Sequence, residues 1–420
     1  MSESLLLLIP LALCAGGVAL FVFRASPRTT FVAWTLVLFL VPIWIGVTAG
    51  IFWAAIILVT IAAIAANLTD LRLAPVDALV ALFALLVLVL LALGLASLSH
   101  AVTAVLEWIV PYAWGRLALA RVGERFIVRT IAAIAAVAAV LAIVEFLSGV
   151  NVFTLVPGPG GFAQWSTLQV RGPFLRAEGA FGHSIALGAA LAMSTACILA
   201  ARWRTWVTLL ALLAVVGALV VTFSRIGLVT GALTIALSLV ALPGLGRAAR
   251  WSIAAAGAAA VAVILPFLGD VFVDAGDEAA GSAEYRTGQL SLLSEVQVLG
   301  SAGDFSGRLA DGVYLGAFSE SVDNTLLLIA LRFGWVAVAL VAVALVAIAA
   351  GVIRRPNPAA IAVAAQLPAL VAVALITQFG VLLWFFAGLA VAWRAMDDDR
   401  AREPSLLRRV PPLPRPAVAA

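Results

Sequence analysis

The sequence alternates between long apolar runs and short polar segments. An apolar run of about 20 residues is long enough to cross a bilayer as an α-helix. The pattern therefore predicts an all-α fold, a polytopic transmembrane bundle of 12 or 13 helices. The predicted spans are residues 5–23, 31–45, 50–66, 76–96, 102–118, 126–146, 184–201, 207–223, 226–242, 251–268, 324–350, 359–377 and 379–393.

The longest break in the apolar pattern runs from Gly269 to Gly334. It contains the stretch DAGDEAAGSAEYRTGQ and returns to apolar sequence through SESVDNTLLLIALRFGW. A loop of this length beside membrane helices is expected to pack on one membrane face, where water can reach it. Within the loop, residues 282–299 predict a helix lying along the membrane, with Arg286 and Gln289 on its polar side. The loop is therefore expected to cover an active site.

Composition places the whole chain in the membrane class. Of 420 residues, 65% are hydrophobic and 11% charged, and the mean hydropathy of +1.18 exceeds that of soluble globular proteins. We expect one transmembrane domain over residues 1–393, with two extracytoplasmic loops at 147–183 and 269–323. Residues 394–420 are expected to form a polar, disordered tail. The run at 5–23 lacks the basic start of a signal peptide and predicts a first transmembrane helix.

The arginines predict the orientation of these helices. All 25 basic residues are arginine, and most lie in alternate polar segments, which the positive-inside rule assigns to the cytoplasm. This rule predicts a multi-pass protein of the cytoplasmic membrane, with its N-terminus outside and its C-terminus inside. The bilayer is thus the first expected partner. Nucleic-acid binding is not expected despite a net charge of +4, because the basic residues sit in short inter-helix segments.

Five arginines fall on the predicted outer side, against the rule. They are Arg171, Arg176, Arg225, Arg286 and Arg308. Arg225 lies in a very tight turn between two spans, where a guanidinium requires a partner or a wet cavity. The planar guanidinium donates paired hydrogen bonds to phosphate oxygens, so Arg176, Arg225 and Arg286 together predict a diphosphate site. The alternative is that they reach lipid headgroups or pair with Glu178, Glu284 or Asp323.

Asp323 is the candidate catalytic base. It stands where the large loop returns to the membrane, and a carboxylate there can accept the proton of a hydroxyl nucleophile. The competing interpretation is that Asp323 only caps a helix. Asn324, His183 and Arg332 are further candidates to line the substrate site, although a structural role is the preferred interpretation of Arg332 and the commoner one for a lone histidine. Cys14 and Cys197 lie inside apolar runs, and no residue spacing predicts a metal site or another cofactor.

Four motifs in order carry a resemblance to a known family. RAEGAFGHSIALG, TFSRIGLVTGAL, YRTGQ in the large loop and DNTLLLIALRFGWVAVAL together resemble the O-antigen ligase and polymerase superfamily of bacterial envelope glycosyltransferases. The matching region runs from Arg171 to Leu340, and the earlier helices match only in hydropathy. Two positions depart from the family pattern: GHSI stands where the family often has His-Pro-Asn, and Asp323 stands where a histidine precedes the asparagine.

The resemblance implies a reaction and a set of site residues. The family transfers a glycan, without a metal, from an undecaprenyl diphosphate carrier to an acceptor hydroxyl on a glycan, lipid or wall polymer. By position, Arg176, Arg225 and Arg286 match the family's arginines, and Arg225 is expected to act in catalysis with Asp323. Related peptidoglycan polymerases of the shape, elongation, division group use an external Asp, so the replacement is chemically consistent.

Two other function classes stay open on the sequence alone. A transporter or flippase of lipid-linked oligosaccharides also needs many spans and buried cations. A membrane scaffold would use the large loop only to bind a partner. The concentration of polar features on one face favours the enzyme.

Overall fold

The computed structural model describes residues 16–156, 158, 167–171, 173–274, 284–310, 312–318 and 321–407. This part of the chain is mostly helical. Its α-helices are α1 Gly16–Ala25, α2 Pro27–Leu40, α3 Ala55–Ala66, α4 Pro75–Ala92, α5 Leu98–Thr103, α6 Val110–Val122, α7 Glu124–Ser148, α8 Ser184–Ala200, α9 Thr205–Val221, α10 Arg225–Ala241, α11 Arg247–Asp274, α12 Thr325–Phe333, α13 Trp335–Ala349, α14 Gly351–Arg354, α15 Pro358–Leu370 and α16 Thr377–Leu407.

Shorter elements connect these helices. A π-helical turn, Ala104–Ile109, joins α5 to α6. Turns of 3-10 helix occur at Val152–Leu155, Gly179–Phe181, Gln289–Glu295 and Leu315–Phe318. Three antiparallel hairpins pair β1 Gly46–Ala49 with β2 Ile51–Ala54, β3 Val170–Arg171 with β4 Phe174–Leu175, and β5 Leu309–Ala310 with β6 Val313–Tyr314.

Within the described part of the chain, five helices are long and apolar enough to cross a membrane. They are Pro75–Ala92, Glu124–Ser148, Arg247–Ile264, Trp335–Arg354 and Thr377–Asp398. Seven more apolar helices are shorter, at 10–17 residues. The predicted helical class is therefore confirmed, with three short hairpins that hydropathy did not predict. Residues 5–15 of the first predicted span and residues 408–420 of the predicted tail lie outside the described residues, and residues 394–407 continue α16 as a helix.

The span predicted over residues 324–350 is divided into two helices. α12 and α13 meet at Gly334, whose φ of +89° is accessible mainly to glycine. A Cβ at this position would lie 2.6 Å from the carbonyl oxygen of Val298. The backbone N–H of Trp335 donates to the carbonyl of Gln297 at 3.0 Å. The break between the two helices is thus held against the large loop by a hydrogen bond. Helix α12, with nine residues, is too short to cross a bilayer alone.

The helix predicted over residues 282–299 is wrong as a single element. The chain is α-helical over 284–288 and then tightens into the 3-10 turn Gln289–Glu295, while residues 282–283 lie outside the described residues. The reason is tertiary packing. Leu292 is buried in a separate apolar cluster formed by Leu292, Leu315, Phe318, Leu327 and Leu331, so the loop folds against α12. The loop therefore has a small core of its own and a defined position.

Helices α6, α8 and α16 form the center of the packed core. In the apolar 18-residue window of α16 within residues 377–398, 83% of positions are buried, against 6% for residues 247–264 of α11. Trp108 stacks on Trp384 of α16 with ring centroids 6.2 Å apart. Helix α11 is thus peripheral, whereas α8, which is buried along nearly its whole length, is held rigidly.

A buried ion pair joins α4 to α6. The carboxylate of Asp77 accepts hydrogen bonds from Arg116 Nε at 2.8 Å and Nη2 at 2.9 Å, and from the Tyr112 hydroxyl at 2.6 Å. Arg116 also donates to the carbonyl of Arg72. This pairing explains how a segment that carries an arginine packs among apolar helices.

Candidate functional site

The candidate site is a cavity of about 610 Å³ at one end of the packed helices. Segments that are far apart in sequence form its walls: the β3–β4 region, the turn between α9 and α10, the large loop and residues 372–373. Its charged and polar lining residues are Arg171, Arg176, His183, Ser224, Arg225, Arg286, Asp323 and Gln169. The cavity therefore contains all three arginines predicted for a diphosphate together with the predicted base.

Arg176 is fixed by backbone contacts between the β3–β4 region and the end of α9. Its Nε donates to the carbonyl of Thr222 at 3.0 Å, and the N–H of Ala177 donates to the carbonyl of Val221 at 3.0 Å. The N–H of Arg176 donates to the carbonyl of Gln169. Only 8% of Arg176 is exposed. Because it is anchored on two sides, this guanidinium needs little ordering when it meets a ligand.

Arg225 is the first residue of α10, in the tight turn that the sequence indicated. Phe223 adopts a positive φ of 47°, and the Ser224 hydroxyl caps the helix by accepting from the N–H of Gly227 at 3.1 Å. An arginine at a helix N-terminus adds its charge to the positive end of the helix dipole. This arrangement favours an anion next to Arg225.

His183 caps α8 beside this turn. Its Nδ1 accepts the N–H of Ile185 at 3.2 Å, which leaves the proton on Nε2. Burial and the neighbouring Arg176 lower the pKa of His183 to about 4. His183 is therefore a neutral hydrogen-bond donor at neutral pH and not a cation.

Close contact between two glycines brings the starts of α8 and α10 together. A Cβ on Gly227 would lie 3.2 Å from the Cα of Gly188, so the two helices pack with almost no space between their backbones. Their N-termini, at His183 and Ser224, consequently border the same cavity. Helix α12 is capped by Asn324, directly after the cavity-lining Asp323, so its N-terminus is also nearby. The positive ends of three helices surround the site.

Gln289 connects the segment that carries Arg286 to the segment that carries Asp323. Its Oε1 accepts the N–H of Asp323 at 3.1 Å, and its Nε2 donates to the carbonyl of Ser321 at 3.1 Å. The Tyr285 hydroxyl donates to the same carbonyl at 2.6 Å. Gln289 is 1% exposed, so these hydrogen bonds lie inside the folded loop. They hold the two oppositely charged residues side by side.

Arg286 and Asp323 both line the cavity, and their opposite charges interact electrostatically. Burial raises the pKa of Asp323, while the Arg286 charge and a hydrogen bond with Ser321 oppose that rise. The Nε of Arg286 is buried and has no hydrogen-bond partner within the described part of the chain. An Arg286 donor is therefore left for a ligand in this cavity.

A buried glutamate pair supports the wall behind Arg176. Glu178 is fully buried, and its Oε1 accepts the N–H of Gln169 at 2.9 Å. Glu145 accepts the N–H groups of Glu178 and Gly179, both at 2.9 Å. Burial raises the pKa of Glu178 to about 7. The hydrogen bond from Gln169 and the charge of Arg176 oppose this rise, whereas the nearby Glu145 adds to it. Glu178 is thus partly protonated near neutral pH.

Two of the residues expected to line the site lie away from the cavity. Asn324 caps α12 with its side chain, accepting the N–H of Leu327 at 3.0 Å, and so has the structural role. Arg332 lies further along α12, where it interacts electrostatically with Glu107 and His100. Neither side chain is among those that line the cavity, because the helix turns Asn324 toward its own backbone and Arg332 toward α5 and the π-helical turn; for Arg332 this is the preferred structural role.

Some features of the site carry weak or no signals in the sequence. Arg171 lines the cavity and stood out only as one more arginine on the predicted outer side. Gln169 and Glu145 belong to no motif, and Glu178 stood out only as a possible partner of an arginine, since their roles come from contacts between distant segments. Among the described residues, no group of three or more His, Cys, Asp or Glu side chains is arranged to hold a metal ion.

The opposite ends of α8 and α10 border a different cavity. It measures about 760 Å³, and its lining includes Arg125, Arg202 and Trp393. The arginines that the positive-inside rule assigns to the cytoplasm and the arginines of the candidate site therefore lie at opposite ends of the same two helices.

Comparison of the chain with models of protein families, with curated proteins and with solved structures finds no match. The chemistry of the cavity is therefore the basis for assigning a function.

Proposed function

We propose that the chain is a membrane-embedded glycosyltransferase of the O-antigen ligase and polymerase type. It transfers a glycan from an undecaprenyl diphosphate carrier to an acceptor hydroxyl at the outer face of the cytoplasmic membrane. The observation that carries this proposal is the presence of Arg176, Arg225 and Arg286 in one cavity with Asp323. Three guanidinium groups suit a diphosphate, and a carboxylate suits the proton of a hydroxyl.

The proposed membrane arrangement is a polytopic bundle with the cavity on the outer side. Five long apolar helices and seven shorter ones supply the spans. Arg125 and Arg202 lie at the far ends of the helices that start at the cavity, and the positive-inside rule places that far end in the cytoplasm. A lipid carrier in the outer leaflet then reaches the cavity from the side.

The proposed reaction is a single displacement at the anomeric carbon. The acceptor hydroxyl forms a bond to that carbon while the bond from the carbon to the diphosphate oxygen breaks. The electron pair of the broken bond leaves with the diphosphate, and the hydroxyl proton passes to the carboxylate of Asp323. Attack from the face opposite the leaving group inverts the configuration.

The leaving diphosphate gains negative charge during this step. Arg225 adds to the positive end of α10, and Arg176 is already anchored by Thr222, so both stabilise that charge with little rearrangement. Arg286 contributes the Nε donor that lacks a protein partner in the described part of the chain. The raised pKa of Asp323 makes its carboxylate a stronger base than an exposed aspartate.

The test is glycan transfer by the purified protein in membranes, followed as release of undecaprenyl diphosphate. Arg225→Ala and Asp323→Asn are expected to lower the rate by at least about 100-fold, the usual contribution of a charge-stabilising donor or a general base. Arg308→Ala and Asp304→Asn serve as matched controls, because both residues lie in the large loop and do not line the cavity. Both controls are expected to retain transfer.

Folding is checked separately by the apparent melting temperature of each variant. Normal transfer by correctly folded Arg225→Ala and Asp323→Asn proteins would refute the proposed function. An equal loss in the Arg308→Ala and Asp304→Asn controls would refute it as well, since the effect would then belong to the loop and not to the cavity.

A further inference from the structure

A second, apolar groove lies between α9, α10 and α11. It has a volume of about 690 Å³. Apart from Arg225 at one end, its lining residues are all uncharged and almost all apolar. Those that define its walls are Leu228, Ala232, Ala236, Ile253, Gly257 and Ala260. A groove of this composition accepts a hydrocarbon and no polar group.

The groove is continuous with the arginine cavity. Arg225 and Val229 line both of them. A molecule with a diphosphate at Arg225 therefore has a direct route for an attached apolar chain along α10.

The length of the groove distinguishes between kinds of lipid. Its lining on α10 extends from Arg225 to Leu239, which corresponds to about 21 Å at 1.5 Å per residue. One leaflet of a hydrocarbon core about 30 Å thick accounts for about 15 Å. With Arg225 at the outer headgroups, as the proposed orientation has it, the acyl chain of an ordinary phospholipid ends near the midplane, whereas a chain that follows the whole groove passes it.

The width of the groove comes from small side chains and loose packing. Gly257 and Ala260 face it from α11, and a Cβ added to Gly257 would meet no heavy atom within 4 Å. Helix α11 buries only 6% of its positions over residues 247–264, so its neighbours leave most of its surface uncovered. The resulting space suits a chain that carries methyl branches.

We propose that this groove holds the hydrocarbon chain of the donor, a prenyl lipid whose chain is longer than one leaflet. The inference rests on the proposed function, since it places the chain of the same carrier whose diphosphate binds at Arg225. The hydrocarbon chain of the donor and the bilayer interior are equally apolar. The groove therefore binds that hydrocarbon chain through complementary shape and van der Waals contact, and not through the hydrophobic effect. Its expected consequence is selectivity for chain length.

The test measures binding of undecaprenyl diphosphate and of the short-chain farnesyl diphosphate to the protein in lipid nanodiscs. Gly257→Phe fills the groove and is expected to weaken undecaprenyl diphosphate binding about tenfold, which corresponds to about 1.4 kcal/mol, with farnesyl diphosphate binding unchanged. Ala259→Phe is the matched control, because Ala259 is exposed on α11 and does not line the groove. This control is expected to bind both lipids like the wild type.

Partition of each lipid into the membrane is the same for all variants, so it cancels in the comparison. Ala236→Phe fills the groove from α10 and replaces Gly257→Phe if that variant does not fold. An equal change for the two lipids, or no change for either, overturns the groove assignment. Two other outcomes would overturn the diphosphate site and with it the proposed function. Either neither lipid binds the wild-type protein, or both lipids bind Arg225→Ala as tightly as the wild type.

Discussion

Replacing Glu178 with glutamine is expected to change how the stability of the protein depends on pH. Glu178 is fully buried behind Arg176, and burial raises the pKa of its carboxyl from 4.5 to about 7. A carboxyl with a raised pKa in the folded protein keeps its proton there while the unfolded chain releases it. Ionisation of Glu178 therefore costs stability as the pH rises from about 4.5 to about 7.

The size of the effect follows from the shift in pKa. The pKa of Glu178 differs by about 2.5 between the unfolded and the folded protein. At 1.36 kcal/mol per pKa unit, the free energy of unfolding changes by about 3 kcal/mol between pH 4.5 and pH 7. Glutamine is nearly the same shape and never ionises. The Glu178→Gln variant should thus gain up to about 3 kcal/mol relative to the wild type between pH 4.5 and 7.

The measurement is the apparent melting temperature in detergent, followed by tryptophan fluorescence at several pH values. His183 contributes an opposite slope, because its pKa of about 4 in the folded state means that stability rises with pH up to about 6.5. A His183→Gln variant isolates that contribution. A constant difference in melting temperature between Glu178→Gln and wild type across this window would show that Glu178 is ionised at both ends, and the reasoning from burial would fail.

Three further changes test other parts of the structure. Gly334→Ala should lower stability by about 1–3 kcal/mol, because φ is +89° there, whereas Gly351→Ala, with open space around it, should not; melting temperatures decide this. Asp77→Asn should cost about 3–5 kcal/mol by leaving Arg116 buried without its anion, again read by melting. Asp323→Asn should remove the acidic limb of the pH–rate profile, whereas Asp323→His should restore part of the transfer, because a neutral imidazole can also accept the hydroxyl proton.

The helices were predictable because a membrane helix leaves a signal that needs no tertiary information. Its length and apolar character are both visible in the sequence, so α4, α7 and α13 lie where apolar runs occur. The break at Gly334 was missed since the apolar run continues on both sides of it. Only the contact with Val298, in another segment, reveals why the glycine is needed.

The site was predictable to the extent that charge in an apolar chain is conspicuous. Arg176, Arg225 and Asp323 were identified because each lies where a loop meets a predicted span on the outer side, and Arg286 because it lies within the large loop. The structure brings all four into one cavity. Arg332, a charge inside the span predicted over residues 324–350, was also conspicuous, but it interacts with Glu107 on another side of α12. Sequence position gives the end of a helix at which a residue lies, whereas the direction of its side chain depends on packing.

The charge balance of the cavity links fold to function. The described lining includes four arginines, Arg171 among them, and one carboxylate, Asp323. The N-termini of α8, α10 and α12 add further positive potential, and His183 is neutral and donates. Like charges so close together repel one another, and that repulsion is relieved when an anion with more than one negative charge binds between them. The same helices that create this potential are fixed by the contact between Gly188 and Gly227, so the charges stay in place when the leaving group departs.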